Sequence, residues 1–317
     1  MRAAVVALMA AFLLLAPAVL ADSDGWEEEA RDQEVRLDAD TFELRSGRVG
    51  GEDEVRFLLD GDNVRFRLDF RDHRGDVEAE AELRVELERV FEFRDENGDG
   101  AFQEGEDVRA EHGPSDFDLQ GLNSSAVSSG GIDGIQAAAV YMFRDAPGST
   151  MTFRATAFGD VTAFQGHPLD PVEVKVDILF EDFPYEEGDT LPAFEARVDA
   201  PVGSGNLSAD AIGFSAGNLT ATFRWEDTAT VDGIDRPVRT TVASRENESL
   251  SVTFAYARGA DIVHDPTLGF SLREVLATTS RILGNPAFYA LGVVASLAVF
   301  SGLVLIRRRK VKGSGPV

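Results

Sequence analysis

The 317-residue chain contains no cysteine, and only three lysines, Lys175, Lys310 and Lys312. Without cysteine there can be no disulfide, no cysteine-linked lipid anchor, no thiolate nucleophile and no cysteine-ligated zinc. Stability must then come from a buried core, which a stretch of roughly 250 residues is long enough to form. With so little lysine, arginine carries most of the positive charge, and it is outweighed: 56 acids leave a net charge of −26. Such a chain repels phosphate, so nucleic acid is not an expected partner. Tryptophan and tyrosine are also scarce, at 2 and 4 residues against 22 phenylalanines. That balance suits core filling better than a sugar-stacking platform, with Trp225 as the candidate for an exposed ring. H-E-x-x-H and P-loop patterns are absent and the four histidines show no metal-ligand spacing, so no catalytic residue is assigned.

Long apolar runs occur only at the two ends. Residues 1–21, MRAAVVALMAAFLLLAPAVLA, place one arginine before an apolar stretch and end in Val19-Leu20-Ala21; this is the pattern of a secretory signal peptide. Residues 287–306 run for twenty positions without a charge, enough for one helix to cross the hydrocarbon core. The tail 307–317 opens with Arg307, Arg308, Arg309 and Lys310, and a basic flank of this kind marks the cytoplasmic side. The expected topology is therefore single-pass in the cell membrane, with the N-terminal ectodomain outside. Setting the tail's positive charges aside leaves that ectodomain still more acidic. Its Lys-poor, Asp/Glu-rich composition resembles that of proteins from salt-loving microbes, whose self-repulsion is screened by high ionic strength.

Between the ends, an acidic and flexible leader is expected over 22–34, followed by short runs with period-two alternation. Val77, Ala79, Ala81, Leu83, Val85 and Leu87 alternate with charged residues, and Asp60-Gly61-Asp62-Asn63 separates two runs as a hairpin turn would. Helical periodicity is nearly absent before residue 270. The fold class predicted is all-β: an antiparallel β-sandwich ectodomain, one large or two smaller, with a first β region over 35–121 and a second over 135–269. The Gly/Ser-rich stretch 122–134 reads as a loop or linker between them. Residues 271–283 place apolar positions on one helical stripe after a Ser271/Glu274 capping pair, predicting a short amphipathic juxtamembrane stalk helix.

One short stretch carries specific chemistry. Residues 95–106, DENGDGAFQEGE, put Asp95, Asn97, Asp99, Gly100 and Glu106 at positions 1, 3, 5, 6 and 12 of a twelve-residue loop. Calcium wants six to eight oxygens, and such a loop supplies them from alternate side chains around a sharp glycine turn. The side chains of Asp95, Asn97, Asp99 and Gln103, the Ala101 carbonyl and a bidentate Glu106 form the expected ligand set for Ca2+. This stretch resembles the calcium loop of an EF-hand, and Phe102 matches the apolar eighth position. The resemblance stops at the loop, since the residues before it alternate and Gly113-Pro114 leaves no room for a second helix. It is closer to the isolated DxNxDG…E loops of secreted proteins, which implies an ion that pins a connection between strands. Asn123, Asn206, Asn218 and Asn247 each begin an N-x-[ST] sequon and are the candidate glycosylation sites. The sequence-level expectation is a calcium-stabilised, membrane-anchored cell-surface glycoprotein with a structural, adhesion or ligand-binding role toward an extracellular protein or glycan. A membrane-tethered extracellular hydrolase acting on carbohydrate or peptide is the alternative.

Overall fold

Period-two alternation commits a segment to a sheet with one face in a core, and the chain follows it almost throughout. The computed structural model describes residues 33–47, 53–72, 79–200, 204–208, 210–216, 219–244 and 249–272. The expected signal peptide, most of the leader, the membrane span 287–306 and the tail 307–317 lie outside them. Among the described residues there is no α-helix, and so none long and apolar enough to cross a membrane.

The strands are β1 (Gln33–Leu37), β2 (Thr41–Gly47), β3 (Asp53–Asp60), β4 (Arg65–Asp72), β5 (Ala79–Arg94) and β6 (Asp107–His112). After a 3₁₀ turn at Pro114–Asp116 come β7 (Phe117–Ser129), β8 (Ile132–Phe143), β9 (Thr150–Phe158), β10 (Thr162–Phe164), β11 (His167–Leu169), β12 (Glu173–Glu181) and β13 (Leu191–Asp199). The chain continues through β14 (Ser204–Leu207), β15 (Ala211–Ala216), β16 (Leu219–Arg224), β17 (Thr228–Val231), β18 (Ile234–Pro237), β19 (Arg239–Ser244), β20 (Leu250–Ala255), β21 (Ile262–His264) and β22 (Thr267–Leu272). One sheet runs β1-β2-β3-β4-β5-β13-β20-β19, with β6 also on β5; the other runs β14-β15-β16-β22-β12-β21-β17-β18, with β9, β8 and β7 added in turn from β12. The first sheet thus mixes strands from both expected β regions.

The two sheets face one another through phenylalanines. Phe66 on β4 meets Phe153 on β9 at 4.7 Å between ring centroids, Phe70 meets Phe270 at 5.3 Å, and Phe223 meets Phe254 at 6.2 Å. This all-β, antiparallel arrangement is consistent with a sandwich. Solvent-facing positions of the first sheet form a lattice of arginines and acids: Glu43 pairs with Arg45 and Arg56, Glu82 with Arg84, and Glu86 with Arg65 and Arg197. Such pairs contribute little singly, and more as a network.

Three sequence expectations are corrected. Residues 122–134 are neither loop nor linker but the turn end of the β7–β8 hairpin, which is paired from Phe117↔Phe143 to Ser129↔Ile132. Its turn glycines, Gly130 and Gly131, have φ of 61° and 84° and form the two-residue connection, where positive φ suits glycine. Ser271 and Leu272, expected to open the stalk helix, instead end β22, because Leu268 and Phe270 alternate into the core at 1% and 4% exposure; the rest of 271–283 lies outside the described residues. Trp225 is not an exposed ring. It is 4% exposed and packs against Phe223 and Phe254.

Candidate functional site

The site begins with an irregularity in β5. Its partner β13 pairs Glu195 with Arg89 but Ala196 with Leu87, so Glu88 is an extra residue, a β-bulge. One inserted residue reverses which face each later side chain takes. Leu83, Val85 and Leu87 enter the main core; beyond the bulge Val90 and Glu92 take that side, and Arg89, Phe91 and Phe93 emerge on the other face. Phe91 and Phe93 are nonetheless fully buried, in a small second cluster with Ala193, Ala255, Val108, Leu191 and Phe102.

Phe102 is the lid of that cluster, and it comes from the 95–106 loop. Its ring lies 4.7 Å from Phe91 and 5.4 Å from Phe93, both edge-on, while the Arg89 guanidinium sits 4.3 Å over Phe91. Arg89 is held by Glu195 at 2.6 Å and Glu111 at 3.0 Å, and Thr241 Oγ1 donates to the Phe102 carbonyl at 3.1 Å. The loop joins β5 to β6, which pair antiparallel up to Arg94↔Asp107. It is therefore the connection of a hairpin, with strands where an EF-hand has helices. Truncation of Phe102 to alanine uncovers two aromatic rings. Phe102 is half-buried, so the expected loss is about 2 kcal/mol, below the 3–5 typical of a fully buried phenylalanine, and a urea-unfolding midpoint measures it.

All six expected ligand residues lie in this one loop. Asp95 accepts from the Gly98 and Gly100 amides at 2.8 Å each. Asn97 Oδ1 accepts from Asp99 N, and Asp99 accepts from Ala101 N and Gln103 Nε2, each at 2.8 Å. Glu106 reaches back to Gln103 N at 2.8 Å and Glu96 N at 3.3 Å. Gly100, at φ 78°, makes the left-handed turn that brings the loop around. Every carboxylate oxygen keeps a free lone pair, and the donors match calcium in type and order. The side chains do not draw together: among the described residues no three of His, Cys, Asp or Glu converge as a metal-holding group. The residues fit the ion by chemistry and sequence position, and the convergence would have to come with the ion.

Nearby, the buried Glu92 anchors the segment before β13, accepting from Glu186 N at 2.7 Å, Glu187 N at 2.9 Å and the Thr190 hydroxyl. Beyond it, a depression of about 420 Å³ is lined by Asp182, Phe183, Tyr185, Asp232, Arg258, Gly259 and Ala260. Arg258 stacks 3.7 Å over the Tyr185 ring, whose hydroxyl burial pushes up to about 12 and which donates to the Gly259 carbonyl at 2.9 Å. Asp232 is committed to the backbone, accepting from Ala260 N at 2.9 Å and Asp261 N at 3.0 Å.

The stretch GFSAG at 213–217 has the form G-x-S-x-G, and its residues 213–216 lie in strand β15 between β14 and β16. A nucleophile elbow needs a strand-to-helix turn, and here Ser215 shares a hydrogen bond with Thr220 at 3.0 Å across two antiparallel strands. Of the sequons, Asn123 is exposed on β7 and Asn206 lies in β14, while Asn218 and Asn247 are outside the described residues. No protein-family model matches the chain, and a search of curated proteins finds none similar to it.

Proposed function

We propose that the chain is a calcium-stabilised, membrane-anchored cell-surface β-sandwich protein with a structural, adhesion or ligand-binding role, presented outside the cell on the span 287–306. The observation that carries this reading is the 95–106 loop: an ordered set of calcium-type donors whose central residue, Phe102, seals an apolar cluster on an otherwise charged sheet face. An ion there would lock the lid without changing the fold, which suits a durable surface element better than a switch. Its partner is an extracellular protein or glycan. The tethered-hydrolase alternative requires two carboxylates facing each other across a cleft; the depression beside Tyr185 offers Asp182 and Asp232, and Asp232 already holds backbone.

Calcium that binds only the folded state stabilises it by RT ln(1 + [L]/Kd), about 1.4 to 2.7 kcal/mol at roughly 10 mM for a Kd of 10⁻³ to 10⁻⁴ M. For a domain of this size that is a rise of about 3 to 10 °C in melting temperature. Glu106→Gln, which removes the closing charge, is expected to abolish most of the rise, and Glu104→Gln, outside the ligand positions, to keep it. Equal shifts in all three proteins would reduce the loop to an acidic turn.

A further inference from the structure

Among the described residues, strand β7 is paired on one side only, with β8. No backbone hydrogen bond among the described residues reaches its other edge. Its two ends are tied elsewhere by side chains, Asp118 accepting from Arg144 Nε at 2.8 Å, Thr162 Oγ1 donating to the Ser129 carbonyl at 3.1 Å and Ser129 Oγ to the Ala163 carbonyl at 2.6 Å. Asn123, Ser124, Ser125 and Ala126 are exposed although they alternate between the two faces of the strand, so this length of β7 stands clear of the core. An open edge is a template for another strand, and proteins ordinarily blunt it with charge, proline or brevity. The other edges here follow that rule: β1 carries Glu34 and Arg36, β18 carries Asp235, Arg236 and Pro237, β19 begins with Arg239, and β14 is only four residues long. Residues 119–132 carry no charge at all, in a chain of net charge −26.

We propose that β7 pairs with β7 of a second copy of this chain, antiparallel about a two-fold axis at Ser125 that sets this residue opposite its own copy, so that the second sheet continues across two molecules. Charge selects the occupant. Two copies repel wherever acidic surface meets acidic surface, and a long neutral edge is where their backbones can approach without bringing like charges together. Small side chains at Ser124, Ser125 and Ala126 let the strands close to bonding distance, and the two-fold relation makes the contact self-complementary. Pairing gives partners to the edge amides and carbonyls of β7 that no described backbone group reaches.

Because the chain has no cysteine, a single introduced one reports unambiguously. The full chain in detergent at high salt, carrying Asn123→Gln so that no glycan stands on the edge, is prepared with Ser125→Cys or, as a control, with Ser244→Cys on the exposed end of β19. Under mild oxidant the Ser125→Cys protein is expected to form disulfide-linked dimer at least tenfold faster than the control, and adding Ala126→Lys to it to slow the reaction by a similar factor with unchanged circular dichroism. Equal rates for the two cysteines, no dimer from Ser125→Cys, or indifference to Ala126→Lys would each overturn the pairing.

Discussion

Replacement of Lys175 by alanine is expected to destabilise the protein by about 3–5 kcal/mol, the usual consequence of stripping one partner from a buried ion pair. Lys175 is the only lysine among the described residues and is 1% exposed. Its ammonium contacts Asp177, and lies 3.2 Å from Asp265 Oδ1 without hydrogen-bond alignment. Burial pushes the Asp177 carboxyl up, while Lys175 opposes the shift, Asp265 reinforces it and Arg154, 3.6 Å away, again opposes it. Without the ammonium, Asp177 would have only this longer contact to a partly exposed arginine, so it must protonate or draw in water. Converting both ends, with Lys175→Met and Asp177→Leu, should recover most of the loss, because a packed apolar pair avoids the desolvation penalty. Urea midpoints for the three proteins measure this. A harmless Lys175→Ala, or a double variant no better than the single, would show that the cluster is not the buried pair its geometry indicates.

Acid should weaken the fold through His264. Its Nε2 meets the Glu226 carbonyl at 3.0 Å, which makes that nitrogen the donor, so Nδ1 accepts from the Tyr256 hydroxyl at 3.2 Å. Both ring nitrogens are thereby spent in the neutral form. Burial pushes the imidazole down to about 4, with Lys175 adding to the shift and the Glu226 carbonyl and Asp265 opposing it. A histidine near 6.5 when unfolded and near 4 when folded binds its proton more readily in the unfolded chain. Its contribution is fully present above about pH 6.5 and is lost as pH falls toward 4, about 3 kcal/mol in all. Glu173 and Asp177, both pushed up by burial, act in the opposite sense at the acid end, so the variant comparison isolates the histidine. His264→Gln keeps a donor toward Glu226 but does not titrate, and its stability should fall less steeply than wild type between pH 6.5 and 4. Parallel curves would assign the acid response to other groups.

How far the sequence showed these features depends on the range of the interactions involved. The alternation up to Leu87 announced β5, and Asp60-Gly61-Asp62-Asn63 announced the β3–β4 turn, where a Cβ on Gly61 would meet the Asp40 carbonyl at 2.4 Å. Both signals are local. The bulge at Glu88 was not legible, since a charged residue breaking the alternation looks the same whether the strand ends or shifts register. The fold of 122–134 was misread because an exposed, uncharged edge strand has the composition of a loop. Lys175, Asp177 and Asp265 could not be grouped without knowing that β12 lies between β9 and β22. The loop itself was legible in its order of oxygen-bearing residues, yet its packing was not, because Phe91, Phe93 and Phe102 meet only after the bulge turns β5 over.

Direct calcium binding is the most immediate test of the loop's role. Equilibrium dialysis of the full chain against radioactive calcium, in high potassium chloride with excess magnesium, suppresses the diffuse cation attraction of so acidic a surface. The expected result is one saturable calcium per chain with a dissociation constant of about 10⁻⁴ to 10⁻³ M, lost in Glu106→Gln and retained in Glu104→Gln. Binding that does not saturate, or that is the same in Glu106→Gln as in wild type, would contradict a calcium site at residues 95–106.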